Sequence, residues 1–313
     1  MLIDDRGSEG RGPLKESIMS VDFEGMAKIL EGTGDYRILR RLQHRDRFAE
    51  LEPNDTHIGV VVDVETTGLD VTADEIVEIG LVKFSYASSG SVGQVIETFS
   101  SLNEPTKAIP PEIALLTGIQ EEDVEGHRID DAAVSAFVSD AEIVVAHNAR
   151  FDRRMCEPHW QSFTNKPWTC SATDIKWRDH GFESSRLDHL LRGMGLFRER
   201  HRAIEDCFAV LELLAYRLKS PDRPAMALLI EQSRRNVARV WAEGTNYSSK
   251  DELKARGYRW NNGSDGRPKS WYRDLEEKGT EDEIEFLRTF IYRRDVDIKV
   301  QLIDALSRFS IRD

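Results

Sequence analysis

In the stretch VVDVETTGLD, Asp63 and Glu65 stand two positions apart at the end of a run of β-branched residues. Successive side chains on a strand alternate between faces, so both carboxylates emerge on the same side. Burying paired charges without a partner is costly. Hard oxygen ligands side by side suit Mg²⁺ or Mn²⁺, which leave positions open for a substrate phosphate. The competing reading is an exposed strand end. In IVVAHNARFD an apolar run leads into His147, Asn148 and then Asp152. At a helix start, Asp152 could simply favour the positive end of the helix dipole, and Asn148 could be a turn residue. In HRAIEDC, His201 and Asp206 are separated by about 140° if both are helical. They converge only if His201 stands in the loop ahead of the helix.

These residues need a scaffold, and the pattern predicts one. HIGVVVDVE, IVEIGLVKFSY and VGQVIETFSSL read as an antiparallel meander ended by turn-rich segments. IPPEIALLTGI and the amphipathic DDAAVSAFVSD follow. AEIVVAHN then has the short, apolar character of a buried parallel strand. FDRRMCEPHWQSF reads as helical, PWTCSATDI as extended, SRLDHLLRGMG as helical, and HRAIEDCFAVLELLAYRLK as a longer helix. The expected fold class is α/β, a mixed five-stranded sheet flanked by helices.

Around that sheet we expect a disordered tail over 1–20 and an N-terminal helical segment over 21–56. The catalytic domain is expected over 57–219, and a C-terminal helical linker with a small accessory module over 220–313. Two short N-terminal helices are expected, with Phe23, Met26 and Leu30 at helical spacing in the first and Arg37, Arg40, Arg41, Arg45 and Arg47 in the second. The arginines are either a strand-guiding patch or a solvated helix face. Residues 225–243 read as helical. Near the end, Tyr258, Trp260, Trp271 and Tyr272 interleave with Lys254, Arg256, Arg259, Lys269 and Arg273. They could stack on single-stranded nucleic acid or form the core of the module.

Taken together and in order, D-x-E on a first strand, Asp after H-N-x-x-F, and H-x4-D opening a late helix resemble the DEDDh exonucleases. This RNase H-like group includes the epsilon proofreading subunit of DNA polymerase III, RNase T and oligoribonuclease. PPEIALLTGI, with Thr117, Gly118 and Ile119, is similar to that group's segment before its second motif. The likeness spans roughly residues 58–218. The sister group with tyrosine uses Y-x3-D, and Arg202 at the corresponding position disfavours it.

The resemblance implies an RNase H-like sheet and a two-ion site. Asp63 bridges two Mg²⁺ or Mn²⁺ ions, Glu65 and Asp206 complete the nucleophile's site, Asp152 supports the ions directly or through water, and His201 is the general base. It also implies contacts from Thr66, Thr67, Gly68 and Leu69 to the terminal nucleotide, with His147 and Asn148 close by. The expected activity is release of nucleoside monophosphates from single-stranded or frayed DNA 3′ ends. The alternatives are an exoribonuclease, for which RNA is the substrate, and a docking subunit of a polymerase or repair complex.

Composition limits the partners. A net charge of −13 argues against a protein that coats duplex phosphates, although metal-binding carboxylates themselves push the count negative. Three cysteines without a CxxC pair suit a reducing cytoplasm, and no apolar run is long enough for a bilayer.

Overall fold

The computed structural model describes residues 21–198, 202–263 and 266–312. The expected tail over 1–20 lies outside them. The first described helix, α1 (Phe23–Gly32), is capped by the Asp22 carboxylate, which accepts from the Gly25 amide at 2.8 Å. Its predicted apolar side faces outward, with Phe23, Met26 and Ile29 all exposed.

The second expected N-terminal helix does not form. Residues beyond Asp35 run extended through the short strand β1 (Arg40–Arg41). The reason is tertiary. Arg37 donates to the Arg192 carbonyl, Arg40 pairs with Glu24 and Glu31, and Arg45 grips Glu212 through two nitrogens. Arg45 also lies 4.2 Å over the Phe48 ring. The arginines are neither a free patch nor a solvated helix face, because long-range pairing outweighs local helix preference.

The central sheet contains β2 (His57–Thr66), β3 (Ile76–Tyr86), β4 (Val92–Leu102), β5 (Ile143–Ala146) and β6 (Trp168–Cys170), in the order β4-β3-β2-β5-β6. The first three form the expected antiparallel meander, and β5 and β6 run parallel to β2. This is the mixed five-stranded α/β sheet of the expected fold class. Between β4 and β5 come α2 (Pro111–Thr117), α3 (Glu121–Val124) and α4 (Asp131–Val138), and after β5 comes α5 (Ala149–Cys156). Beyond β6 follow α6 (Leu187–Gly193), β7 (Leu196–Phe197), α7 (Ala203–Ala215), the hairpin strands β8 (Arg217–Lys219) and β9 (Asp222–Pro224), and α8 (Ala225–Ser233).

Alternation on β2 divides the core. Val60 and Val62 pack with Phe137, Trp160 and Trp168, whereas Val61 packs with α7 through Cys207 and Leu211 and with Leu229 of α8. Asp63 shares the parity of Val61, so it points to the α7 side. The core on that side continues through Leu218, Ala225 and Met226, past Lys219.

Only the first half of 225–243 is helical. The alternating VARVWA becomes β10 (Val237–Ala242), followed by α9 (Lys250–Ala255), β11 (Arg259–Trp260), β12 (Trp271–Glu276), α10 (Thr280–Phe286) and β13 (Val300–Ile303). Four of these strands form an antiparallel sheet in the order β11-β12-β10-β13. Tyr258 and Trp271 serve its core, Trp260 is half exposed, and the Tyr258 hydroxyl donates to the buried Glu283 carboxylate at 2.9 Å.

The last residues return to the central sheet. The Trp168 amide on edge strand β6 donates to the Ala305 carbonyl at 3.2 Å, so the tail covers an edge that would otherwise be open. Arg153 is fully buried. It pairs with Glu157 at 2.8 Å and donates to the carbonyls of Leu306 and Arg308 at 2.5 and 2.7 Å. It is a clasp for the tail, not a phosphate ligand. Among the described residues no helix is long and apolar enough to cross a membrane.

Removing the Arg153 clasp leaves Glu157 buried with less compensation. Arg153→Ala is expected to lose about 3 kcal/mol in urea unfolding, the scale of a broken buried pair. Limited proteolysis should then release the segment after Ile303 first. Unchanged stability and a protected tail would contradict that role.

Candidate active site

Asp63 and Glu65 occupy the last turns of the β2 pleat, opposite Gly80 and Glu78 of β3. Asp206 lies in the first turn of α7, on the helix that covers the same face. Ligand atoms of Asp63, Glu65 and Asp206 all lie within 4.8 Å of one another. Asp152, in the first turn of α5, is 3 % exposed. Its carboxylate lies close enough to Asp63 and Asp206 for the charges to repel one another. Three chain segments distant in sequence therefore bring four carboxylates to one place. His201 lies outside the described residues.

The electrostatics are those of charges short of solvent. Burial pushes Glu65 up to about 8, with Asp206 and Glu78 adding repulsion. Burial raises Asp152 and Asp206 to about 7. Asp63 is held well above the carboxylate range by burial and then by its three acidic neighbours. Among the described residues Arg198 is the main cation that opposes them. Arg198 places a nitrogen 2.6 Å from Asp206 and another 3.1 Å from Asp188, with its side chain 5 % exposed.

Three further residues, Glu78, Gly80 and Cys207, hold the Asp206 helix in place. Glu78, completely buried, accepts from the Ala203 amide at 3.0 Å and from Arg202 at 2.7 Å, so it caps α7 and pairs with the residue before it. At Gly80 a methyl group would come within 2.5 Å of the Ala203 carbonyl carbon and the Ile204 amide nitrogen. Glycine is what lets the helix backbone lie on the strand. The Cys207 thiol, one residue past Asp206, donates to the Gly80 carbonyl at 3.2 Å and is thereby turned toward the sheet.

Whether divalent cations suit this place is decided by the donors. They are all oxygen, clustered and mutually repelling, which favours hard ions over zinc. The residues fit the ions.

The loop that follows is locally braced. Thr66 donates to the Gly68 carbonyl at 2.5 Å, and Thr67 is buried and donates to Asp74 at 3.1 Å. Asp74 lies so close to Gly68 that a Cβ there would meet its carboxylate at 2.4 Å. Leu69 projects freely, 84 % exposed. His147 is occupied internally, with Nδ1 2.9 Å from the Ser171 hydroxyl and Nε2 2.8 Å from the Ser185 carbonyl. Burial lowers it to about 4, so it is neutral. Asn148 beside it is exposed at the start of α5.

Glu78, Gly80, Asp188 and Arg198 were not singled out from the sequence. Glu78 left a signal in IVEIGLV, where a lone carboxylate interrupts an otherwise apolar strand. Arg198 left none, standing among other arginines in LFRERHR.

Residues 60–214 match the RNase_T family model, described as Exonuclease. This segment belongs to the RNase_T exonuclease family. It is the DnaQ-like group that the motifs resemble. The exonuclease segment is 34% identical over 157 residues to DNA polymerase III PolC-type of Thermotoga petrophila, covering 47% of this chain and 11% of that protein. It is 28% identical over 166 residues to the PolC-type polymerase of Clostridium perfringens, covering 51% and 11%. The chain thus spans about a tenth of the length of these relatives. Among solved structures, Exonuclease X in complex with 5′ overhanging duplex DNA is 24% identical, covering 55% of this chain and 89% of that one at a TM-score of 0.38. The zinc-bound Escherichia coli ExoI–ssDNA complex is 14% identical, covering 75% and 71% at 0.47. Overall likenesses this loose add nothing to what the sheet order establishes.

Two outcomes follow for the carboxylate cluster. The folded carboxylates hold protons that an unfolded chain releases near pH 4, so their contribution to stability is present in acid and lost as pH rises through about 7 to 8. In EDTA the melting temperature should fall over that window, and Mg²⁺ or Mn²⁺ should restore it by an amount that grows with pH. Asp63→Asn should show little of either effect. A metal-induced shift that is equal at pH 6 and pH 8, or that survives in the variant, would refute the cluster as the ion site. Gly80→Ala should cost about 1–3 kcal/mol by overpacking and weaken that metal response by roughly tenfold in concentration, because α7 must lift Asp206. Retention of both properties would show that the close approach is dispensable.

Proposed function

We propose that the protein is a metal-dependent 3′-to-5′ exonuclease that releases nucleoside monophosphates from single-stranded or frayed DNA 3′ ends. The observation that carries this is the convergence of Asp63, Glu65 and Asp206, with Asp152 beside them, inside a segment of the exonuclease family. Asp63, Glu65, Asp152 and Asp206 would hold two Mg²⁺ or Mn²⁺ ions, Asp63 serving both, Glu65 and Asp206 the one that activates water, and Asp152 the pair directly or through water. When bound, the ions supply Lewis-acid stabilisation of the attacking and leaving oxygens.

The chain's own residues do the rest. His201 takes the proton from the attacking water, a task suited to an imidazole of ordinary pKa near 6.5. Thr67 and Gly68 offer a rigid backbone edge to the terminal nucleotide, and exposed Leu69 packs on its base. Asn148 meets the strand near the scissile phosphate, while His147 orients that corner from within. The substrate partner is a strand with an accessible 3′ end. Likeness to a stretch of PolC-type polymerases also supports work alongside DNA synthesis or repair.

The test is release of mononucleotides from a 3′-accessible oligonucleotide with Mg²⁺ or Mn²⁺. Asp63→Ala and His201→Ala should each lose at least ~10²-fold, the scale of a positioned general base. Wild-type rates in either variant would end the assignment. Matched RNA turned over faster than DNA would replace the deoxyribonucleotide substrate with a ribonucleotide one.

A further inference from the structure

The catalytic segment and the C-terminal sheet enclose a cleft of about 370 Å³ at the end of the central sheet where the site lies. One wall is Asn148 and Arg150, at the start of the helix whose first turn holds Asp152. The cleft therefore opens at the N-terminal end of the helix that carries Asp152. The opposite wall is one face of the C-terminal sheet. Arg239 is paired across the ladder with Asp274, and Arg259 with Tyr272, two residues before Asp274, so all four share a face. The floor is closed by Arg308, which pairs with Asp174.

The charge balance is unusual for a chain with a net charge of −13. Four guanidiniums, from Arg150, Arg239, Arg259 and Arg308, line the cleft against two carboxylates. Asp274 serves two of the arginines at once. It accepts from Arg239 at 2.7 and 3.1 Å and from Arg259 at 2.7 Å. Arg239 is held with its side chain 4 % exposed, but that of Arg259 is 60 % exposed and lies 5.0 Å over the Tyr272 ring. A concave site with excess fixed positive charge and an aromatic beside it suits a phosphodiester backbone with bases that can stack. The family match ends at residue 214, so the Arg239 and Arg259 wall lies beyond it.

We propose that this cleft binds the single-stranded nucleic acid leading into the active site, gripping phosphates upstream of the 3′-terminal nucleotide. The proposal rests on the exonuclease reading above. It makes the C-terminal module part of the substrate site, and it makes affinity depend on strand length in a way the carboxylate pocket alone would not.

The test is fluorescence anisotropy with 5′-labelled single strands of three and ten nucleotides, made resistant to hydrolysis by phosphorothioate linkages at the 3′ end, in Mg²⁺ over a salt series. The ten-mer should bind more tightly than the trimer. Arg259→Ala should weaken ten-mer binding by about tenfold and lower the slope of log affinity against log salt by about one, while Arg259→Lys keeps the slope. Equal binding of the two lengths, or an unchanged ten-mer affinity and slope in Arg259→Ala with an unchanged melting curve, would overturn the cleft. Mononucleotide release from an ordinary oligonucleotide by the unmodified protein is scored separately. Its absence would instead overturn the exonuclease reading.

Discussion

Mutual repulsion among Asp63, Glu65, Asp152 and Asp206, in a pocket that solvates them poorly, is the constraint around which the molecule is built. Left to themselves such groups separate or take up protons. Keeping them together requires elements that cannot yield. The β2 pleat fixes two of the acids, a glycine on the neighbouring strand lets α7 settle against the sheet, and Glu78 holds the start of that helix by its backbone and by Arg202. Arg198 removes part of the excess charge at Asp206. The scaffold is thus stable in spite of its centre, and a cation bound there would relieve the repulsion.

Much of this was legible because the signal was local. A β-branched run carrying D-x-E needs no long-range information to become a strand with two carboxylates on one face, and the turn-rich segments between the strands mark the meander before α2. The order of motifs then identified the group. What escaped depended on distant residues. Arg37 and Arg45 lie in a stretch with helical spacing, yet their partners, the Arg192 carbonyl and Glu212, are far along the chain and draw it out straight. Residues 237–242 were absorbed into a helix because an apolar run precedes them, although VARVWA alternates as a strand should. The role of Gly80 cannot be read without knowing which helix lands on it.

The C-terminal aromatics show how one composition divides between tasks once a sheet gives it two sides. Tyr258 and Trp271 fill the interior. Tyr272 stands on the other face with Arg239 and Arg259. The core reading holds for Tyr258 and Trp271, and strand parity sets Tyr272 apart from them. The tail beyond β13 secures the arrangement, since Arg153 reaches from the catalytic helix to main-chain oxygens that no side-chain substitution in the tail can remove.

Among the described residues, β1 is the one strand paired with β7, and β7 runs directly into Arg198. His44, just past β1, stacks on Phe208 at 3.8 Å and meets Glu205, the neighbour of Asp206. The arm ahead of the nuclease fold is therefore a splint for its most charged corner. Peeling it away and loosening the guanidinium at Asp206 are one thermodynamic event, so fraying at one end of the fold is felt in its centre.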